Sequence, residues 1–371
     1  GHNLCSRYLL KPGYQHQLET VFQALQKGWD KETIGSHVIR NNVIYNCGQN
    51  AIVGHMGGAF SQICHNHIYN IGTKHEFFGY EIAGIKLHAA IDTQIIGNNI
   101  HHTTLGIWMD WEAQGVRISG NLFYENSRDL MIEVTHGPCV MDNNIFGSEF
   151  SLDNQAQGTA YLHNLYCGVI RRERFLERAT PYHFPHSTQV AGCAVVYGGD
   201  DRFYQNIFLG SAPVYTDDSF CGTAGFNDCT ASLEEFVEKV RAGGLDDVER
   251  FLKTNQPVYL KNNCYLEGAE AFDRETENFC SEEPAHAHIV QKEDGTYLEI
   301  HIPEELFSIG TKIYGTEDLG LARLAGAPFD APNGDAIRID KDYLGEVRNS
   351  APVPGPFEGL KPGHNVIKVW E

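Results

Sequence analysis

Asp110 and Glu133 close two segments of the same shape, Ile107-Trp-Met-Asp110 and Leu130-Met-Ile-Glu133. A third such segment, Ile85-Lys-Leu-His88, precedes them, and positions 88, 110 and 133 are almost evenly spaced. Side chains alternate between faces along an extended strand, so Ile85, Leu87, Ile107, Met109, Leu130 and Ile132 share one face. The other face carries Lys86, Trp108 and Met131 in one row and His88, Asp110 and Glu133 in the next. If these segments are neighbouring parallel strands, about 4.8 Å separates each from the next. Two carboxylates stacked at that spacing repel, and folding does not call for them. Glycoside hydrolysis with retention does: it uses a nucleophile and an acid/base about 5–5.5 Å apart, whereas inversion needs about 6.5–9.5 Å. Mutual repulsion and partial burial raise one pKa, leaving one acid protonated and one ionised near neutral pH. The plainer alternative is a pair of solvated surface acids.

Other residues around the pair suit a sugar. Trp108 and Trp111 flank Asp110 and offer a stacking plane to a pyranose ring. Glu81, Lys86 and His88 precede Asp110 by one repeat, and His136 follows Glu133 in EVTHGP. Either histidine serves equally well as an ordinary hydrogen-bonding residue. The ten cysteines contain no CxxC pair or tight metal-ligand spacing, so no metal or cofactor is expected.

The elements that must hold these residues follow from a repeat. An apolar residue, two spacers, Asn, one spacer and an apolar or aromatic residue recur at Ile39–Asn42–Ile44, Ile63–Asn66–Ile68, Ile95–Asn98–Ile100 and Ile118–Asn121–Phe123. The series continues at Val140–Asn143–Ile145 and Tyr161–Asn164–Tyr166, with looser copies around Asn206 and Asn263. In sequence number the Asn-to-Asn steps are 24, 32, 23, 22, 21, 42 and 57. A period just above 20 marks a solenoid. Steps of 21–24 read as one coil each, 42 as about two, and 32 and 57 as coils with insertions. The segments are short, β-branched and bounded by Gly and Asn, without the dense Leu pattern or helical segment of a leucine-rich repeat. The fold class expected is all-β, a right-handed parallel β-helix, with one Asn per coil in a left-handed or bridge-region turn.

Three regions are expected: residues 1–35 as a lead-in with a short helix (LETVFQALQK), 36–215 as the β-helix core, and 216–371 as further coils with an insertion and a cap. SLEEFVEKVRAG and DDVERFLKT read as helices, HIVQ and TYLEIHI as a hairpin, and the tail as an irregular cap closing the coil stack. The net charge of −20 argues against nucleic acid, and no run of about 18 apolar residues could span a membrane. Cysteines lying inside apparent strands and the lack of a signal peptide suggest a reducing, cytoplasmic setting. The Gly-His start reads as a scar or a cut within a longer protein, and because no polar cap precedes it, the coil of Asn42 is not expected to be the true N-terminal end.

The runs GIWMDW (residues 106–111) and MIEVTHGP (residues 131–138), with their acids at 110 and 133, resemble glycoside hydrolase family 120. The resemblance is carried by residues 20–210. It implies a retaining β-xylosidase on a right-handed parallel β-helix, exo-acting on xylo-oligosaccharides. Within it Asp110 matches the nucleophile and Glu133 the acid/base. Glu81, in GYEIAGIK, matches a further active-site Glu. Family members carry a long N-terminal portion with earlier coils and a β-sandwich, which is not seen here. The resemblance therefore implies a partner, either that portion as a separate chain or a second copy. Three rivals stand beside this reading, one of them a pectin-type inverting hydrolase, which would need a wider, three-acid cluster. A polysaccharide lyase would want a calcium-binding acid cluster or an Arg/Lys base, and a non-catalytic carbohydrate-binding β-helix would leave the acid pair unexplained.

Overall fold

The structure, a computed structural model, describes residues 13–76, 81–214, 218–244 and 246–371. Its strands are two to nine residues long and fall into three large sheets that the chain visits in rotation. Among the described residues these sheets hold eight, nine and seven strands. All pairings within them are parallel except the last of the third sheet, Ser219–Phe220 on Val169–Arg172. This is the parallel β-helix that the repeat predicts.

The register explains the repeat. In the first sheet Ile39, Ile63, Ile95, Ile118, Met141, Tyr161, Phe203 and Leu260 align from coil to coil. In the second, Ile44, Ile68, Ile100, Phe123, Phe146, Tyr166, Phe208 and Tyr265 do the same. The interior thus changes from aliphatic to aromatic along the stack. Phe123, Phe146, Tyr166, Phe208 and Tyr265 stack with centroids 4.9–5.2 Å apart.

Between these sheets runs an asparagine ladder: Asn42, Asn66, Asn98, Asn121, Asn144, Asn164, Asn206 and Asn263. Each but the last donates its backbone N–H and side-chain amide to the side-chain oxygen of the next, and Asn263 donates both to Glu275 Oε1. Asn98, for example, reaches Asn121 Oδ1 at 2.9 Å by both routes. Two expectations need correction here. The fifth rung is Asn144, not Asn143, because the repeat aligns Met141 rather than Val140 with Ile118. Asn143 instead precedes the rung with φ 56°. The left-handed residue of each coil is the one before the ladder Asn: Asn41, His65, Gly97, Gly120, Asn143, His163, Gln205 and Asn262.

A third correction concerns the step of 42 from Asn164 to Asn206. It is one coil, since Thr159–Leu162 pairs directly with Arg202–Tyr204. The surplus is an antiparallel hairpin, Phe175–His183 with Val190–Val196. The step of 57 from Asn206 to Asn263 carries α2 (Leu233–Ala242) and α3 (Asp247–Lys253), the two helices expected there. Ser232 and Asp246 cap them by accepting from the N–H groups of Glu235 and Glu249. The lead-in helix α1 spans Gly13–Gln26. It packs against the Phe175–His183 strand, while Trp29 donates to the Met56 carbonyl at 2.9 Å. Residues 1–12 of the lead-in lie outside the described residues.

The tail does not lie where a closing cap would. The expected hairpin forms, His288–Lys292 with Gly295–Ile302, and Gly363–Trp370 joins it as a third antiparallel strand. Leu298, Ile300, Ile302, Leu306 and Phe357 pack on the outward residues Leu122, Ile145, Leu165, Ile207 and Leu266 of the second sheet. Tyr314, Leu319, Phe329 and Ile339 cover Val140, Ala160, Leu162 and Tyr204 of the first. Those outward positions are themselves apolar, so the tail is drawn along the flank of the coils. At the other end, the coil of Asn42 leaves Val38, Val43, Tyr45 and Val53 exposed and Ile39 and Ile44 half-buried.

Candidate active site

The third sheet carries the motif strands Ala83–His88, Ile107–Met109 and Leu130–Glu133 side by side. Lys86 pairs with Trp108, and Trp108 with Met131, so the two expected rows are in register. Ile85, Leu87, Ile107, Met109, Leu130 and Ile132 all point into the core. Asp110 therefore follows its strand one step from Glu133 on the adjacent coil.

Asp110 is 4% exposed and sits in a cage of donors. Its Oδ2 lies 2.7 Å from Lys86 Nζ and 3.3 Å from His88 Nδ1, and its Oδ1 accepts from the Trp111 N–H at 2.7 Å. Burial alone would raise its pKa. The charges of His88 and Lys86, with the Lys86 hydrogen bond, outweigh that and hold it below the usual carboxylate value. Glu133, 9% exposed, stands the other way: burial, then the negative charge of Asp110, push its pKa up to about 7. Arg178, Lys86 and the Trp108 indole pull against this rise. Trp108 Nε1 donates to Glu133 Oε2 at 2.9 Å, and Arg178 Nη1 to Oε1 at 2.9 Å. The two acids thus hold different protonation states near neutral pH.

Glu81 joins the cluster from the segment before its strand. Its Oε1 is 3.1 Å from His88 Nε2 and its Oε2 3.6 Å from Lys86 Nζ. Burial is offset by His88 and Lys86, and the carboxyl stays below its ordinary pKa. The first two residues of GYEIAGIK lie outside the described residues. Lys86 is fully buried, while the Glu81 side chain is 35% exposed and that of Arg178 22%. Among the described residues that touch the acids, Glu81, Trp108 and Arg178 are therefore the ones that also reach the surface.

Lys86 Nζ sits over the face of Trp108, 2.9 Å from the ring centroid, so that face is taken by a cation rather than left for a sugar. Trp111 is buried, packing edge-on against His55 and His88 at 5.7 and 5.6 Å, and offers no stacking plane. His136 stands apart from the cluster. Its Nδ1 meets Gln157 Nε2 at 2.8 Å and its Nε2 the Thr180 carbonyl at 3.0 Å. Burial drops its pKa to about 4, which suits a neutral ring fixing the turn after Glu133 to the hairpin.

Arg178 and Gln17 were missed in the sequence. Arg178 reaches in from the hairpin, and Gln17 Oε1 on α1 accepts from its Nη2 at 3.2 Å. Neither belongs to the coil repeat, so periodicity carried no signal for them.

The model of a right handed beta helix region matches residues 32–168. The solved structure described as the complex of XylC with xylose superposes on the whole of this chain with a TM-score of 0.95 and 50% sequence identity. The chain spans 57% of the length of that XylC chain. No curated protein matches the sequence. The likeness to XylC extends past residue 210 through the helical excursion and the tail. Half of its residues are identical to XylC from end to end, which extends the resemblance carried by the two motifs to the whole β-helix and the tail.

Proposed function

We propose that this chain is the catalytic β-helix of a retaining, exo-acting β-xylosidase that releases xylose from xylo-oligosaccharides. The observation that carries the reading is the unequal pair: Asp110 ionised in its cage and Glu133 poised near pH 7 on the next coil. In this reading Asp110 attacks the anomeric carbon while Glu133 gives its proton to the departing oxygen. Glu133 then takes a proton from the water that opens the xylosyl ester, and configuration is retained. Lys86 and His88 keep Asp110 ionised and oriented, Trp108 orients Glu133, and Glu81 at the mouth accepts from a sugar hydroxyl.

Two further facts support the reading. XylC, half identical, is seen with xylose. The burial of both acids, at most 9% exposed, suits a terminal sugar better than an open groove along a polymer. A neutral oligosaccharide also fits a chain of net charge −20 better than a nucleic acid does.

Azide rescue tests the roles. Asp110→Ala should abolish hydrolysis and, with azide, form the α-xylosyl azide by direct displacement. Glu133→Ala should keep turnover of substrates with good leaving groups and give the β-azide. Exchanged products would exchange the roles. A chain that binds xylo-oligosaccharide and turns over unchanged as Asp110→Asn would be a binding module instead.

A further inference from the structure

On the outer face of the second sheet, away from the acid pair, an aromatic column runs up four coils. Tyr45 stacks on Tyr69 at 5.1 Å, Tyr69 on His101 at 5.2 Å, and His101 on Tyr124 at 4.5 Å. This stacking fixes the plane of the buried His101 ring and leaves its two nitrogens at the edge. Both meet other imidazoles. Nε2 lies 2.8 Å from His67 Nε2, and Nδ1 lies 2.7 Å from His102 Nδ1. Beyond them His102 Nε2 is 3.1 Å from Glu125 Oε2 on the next coil. Each ring-to-ring contact needs one N–H and one lone pair, so the row is a single ordered chain of protons. Nothing in the packing of a sheet surface requires three histidines to meet nitrogen to nitrogen.

We infer that His101, His102 and Glu125 form a site for a divalent transition metal of the zinc class, in which the cation replaces the proton held between the two Nδ1 atoms. One donor atom from each residue lies within 4.8 Å of the others, and the exposed Glu125 carboxylate would turn from His102 Nε2 to the cation. Two imidazoles and one carboxylate suit zinc, cobalt or nickel rather than calcium or magnesium, which take oxygen donors. Opening the Nδ1 pair from 2.7 Å to the roughly 3.3 Å of two tetrahedral Zn–N bonds is a small movement. His101 would then carry its proton on Nε2 and donate it to His67, the outer-shell contact that orients a ligating imidazole. The His102 and Glu125 side chains are 45% and 62% exposed, so the cation reaches the site directly from solvent, and water completes its shell.

The placement gives the site a purpose. His102 lies shortly before the strand of Trp108, and Glu125 shortly before that of Glu133. The bound cation ties together the turns that lead into the two strands holding the acid pair. That role rests on the proposed hydrolase reading, whereas metal binding itself does not.

Cobalt titration of the full chain, stripped with chelator, separates the two. We expect one Co2+ per chain with a tetrahedral visible band, displaced by Zn2+, and a melting temperature raised by Zn2+. His102→Ala and Glu125→Gln, both exposed, should lose the band, and His67→Phe should weaken binding about 10–100-fold. His286→Ala, at an exposed histidine elsewhere, should change nothing. Absence of a stoichiometric band, or a band kept by both ligand variants, overturns the site. Intact binding with xylosidase turnover unaffected by Zn2+ keeps the site and removes its link to the acid pair.

Discussion

Glu133 holds its proton near neutral pH in spite of an arginine, and this tension defines the residue scale. Burial and Asp110 raise its pKa, while Arg178 at 2.9 Å stabilises the anion that forms when the proton leaves. Arg178 thus makes Glu133 a stronger acid than its surroundings alone would allow. Removing the cation raises the Glu133 pKa, and the protonated form persists to higher pH. We expect Arg178→Ala to move the basic limb of kcat/KM upward from about pH 7, with rate lost most on substrates whose leaving groups need protonation. A basic limb that stays or moves down would sink this role. Asp110, Glu133, Lys86, His88 and Trp108 could be read from the sequence because alternation and a coil-length step fix their faces. Glu81 and Arg178 could not be derived that way. The first precedes its strand, and the second comes from a hairpin with no phase relation to the coils.

At the scale of elements the asparagine ladder ties successive coils together along one turn, beside the strand pairing that spaces the acids. Asn121 is fully buried, donates to Asn144 and the Ile95 carbonyl, and accepts two bonds from Asn98. Asn121→Ala would strand the Asn98 backbone N–H and remove the side-chain bonds, while the residue-121 backbone N–H keeps Asn144. Its expected cost is about 2–3 kcal/mol by urea denaturation, with the unequal protonation of the two acids unchanged. A loss below about 0.5 kcal/mol would mean the ladder is ornamental. The ladder was legible as a column but slipped by one residue at Asp142-Asn143-Asn144, where two asparagines satisfy the spacing and only strand register decides. The hairpin at residues 175–196 was read as part of a two-coil step, since its alternating strands have the composition of coil strands. The missing ladder Asn between Asn164 and Asn206 was the signal that one coil, not two, was present.

For the whole molecule, the balance of buried acids sets how stability responds to pH. Burial raises the pKa of Asp129 and Asp201 to about 7. It raises Glu112 well above its ordinary value, with both oxygens lacking a hydrogen-bond partner among the described residues. In the unfolded chain such groups titrate near pH 4. Between these limits the folded state therefore binds more protons than the unfolded one. Stability then falls as pH rises through this window, by up to about 1.4 kcal/mol per pH unit for each such group. The growing negative charge on a chain already at −20 acts in the same direction. Asp110 and Glu81, held low, contribute the opposite slope only at acid pH, below about 4. The buried His101, His136 and His183, lowered to about 3, 4 and 4, contribute it up to about pH 6.5, which reduces the fall without reversing it. We expect the urea midpoint to be higher near pH 5.5 than near pH 8. Glu112→Gln, uncharged at both, should narrow the gap by raising the pH 8 midpoint. An equal or higher midpoint at pH 8 in the unmodified chain would mean that these buried carboxyls are better satisfied than their surroundings suggest. It would also mean that the neutral-pH fold does not hold Asp129, Asp201 and Glu112 protonated.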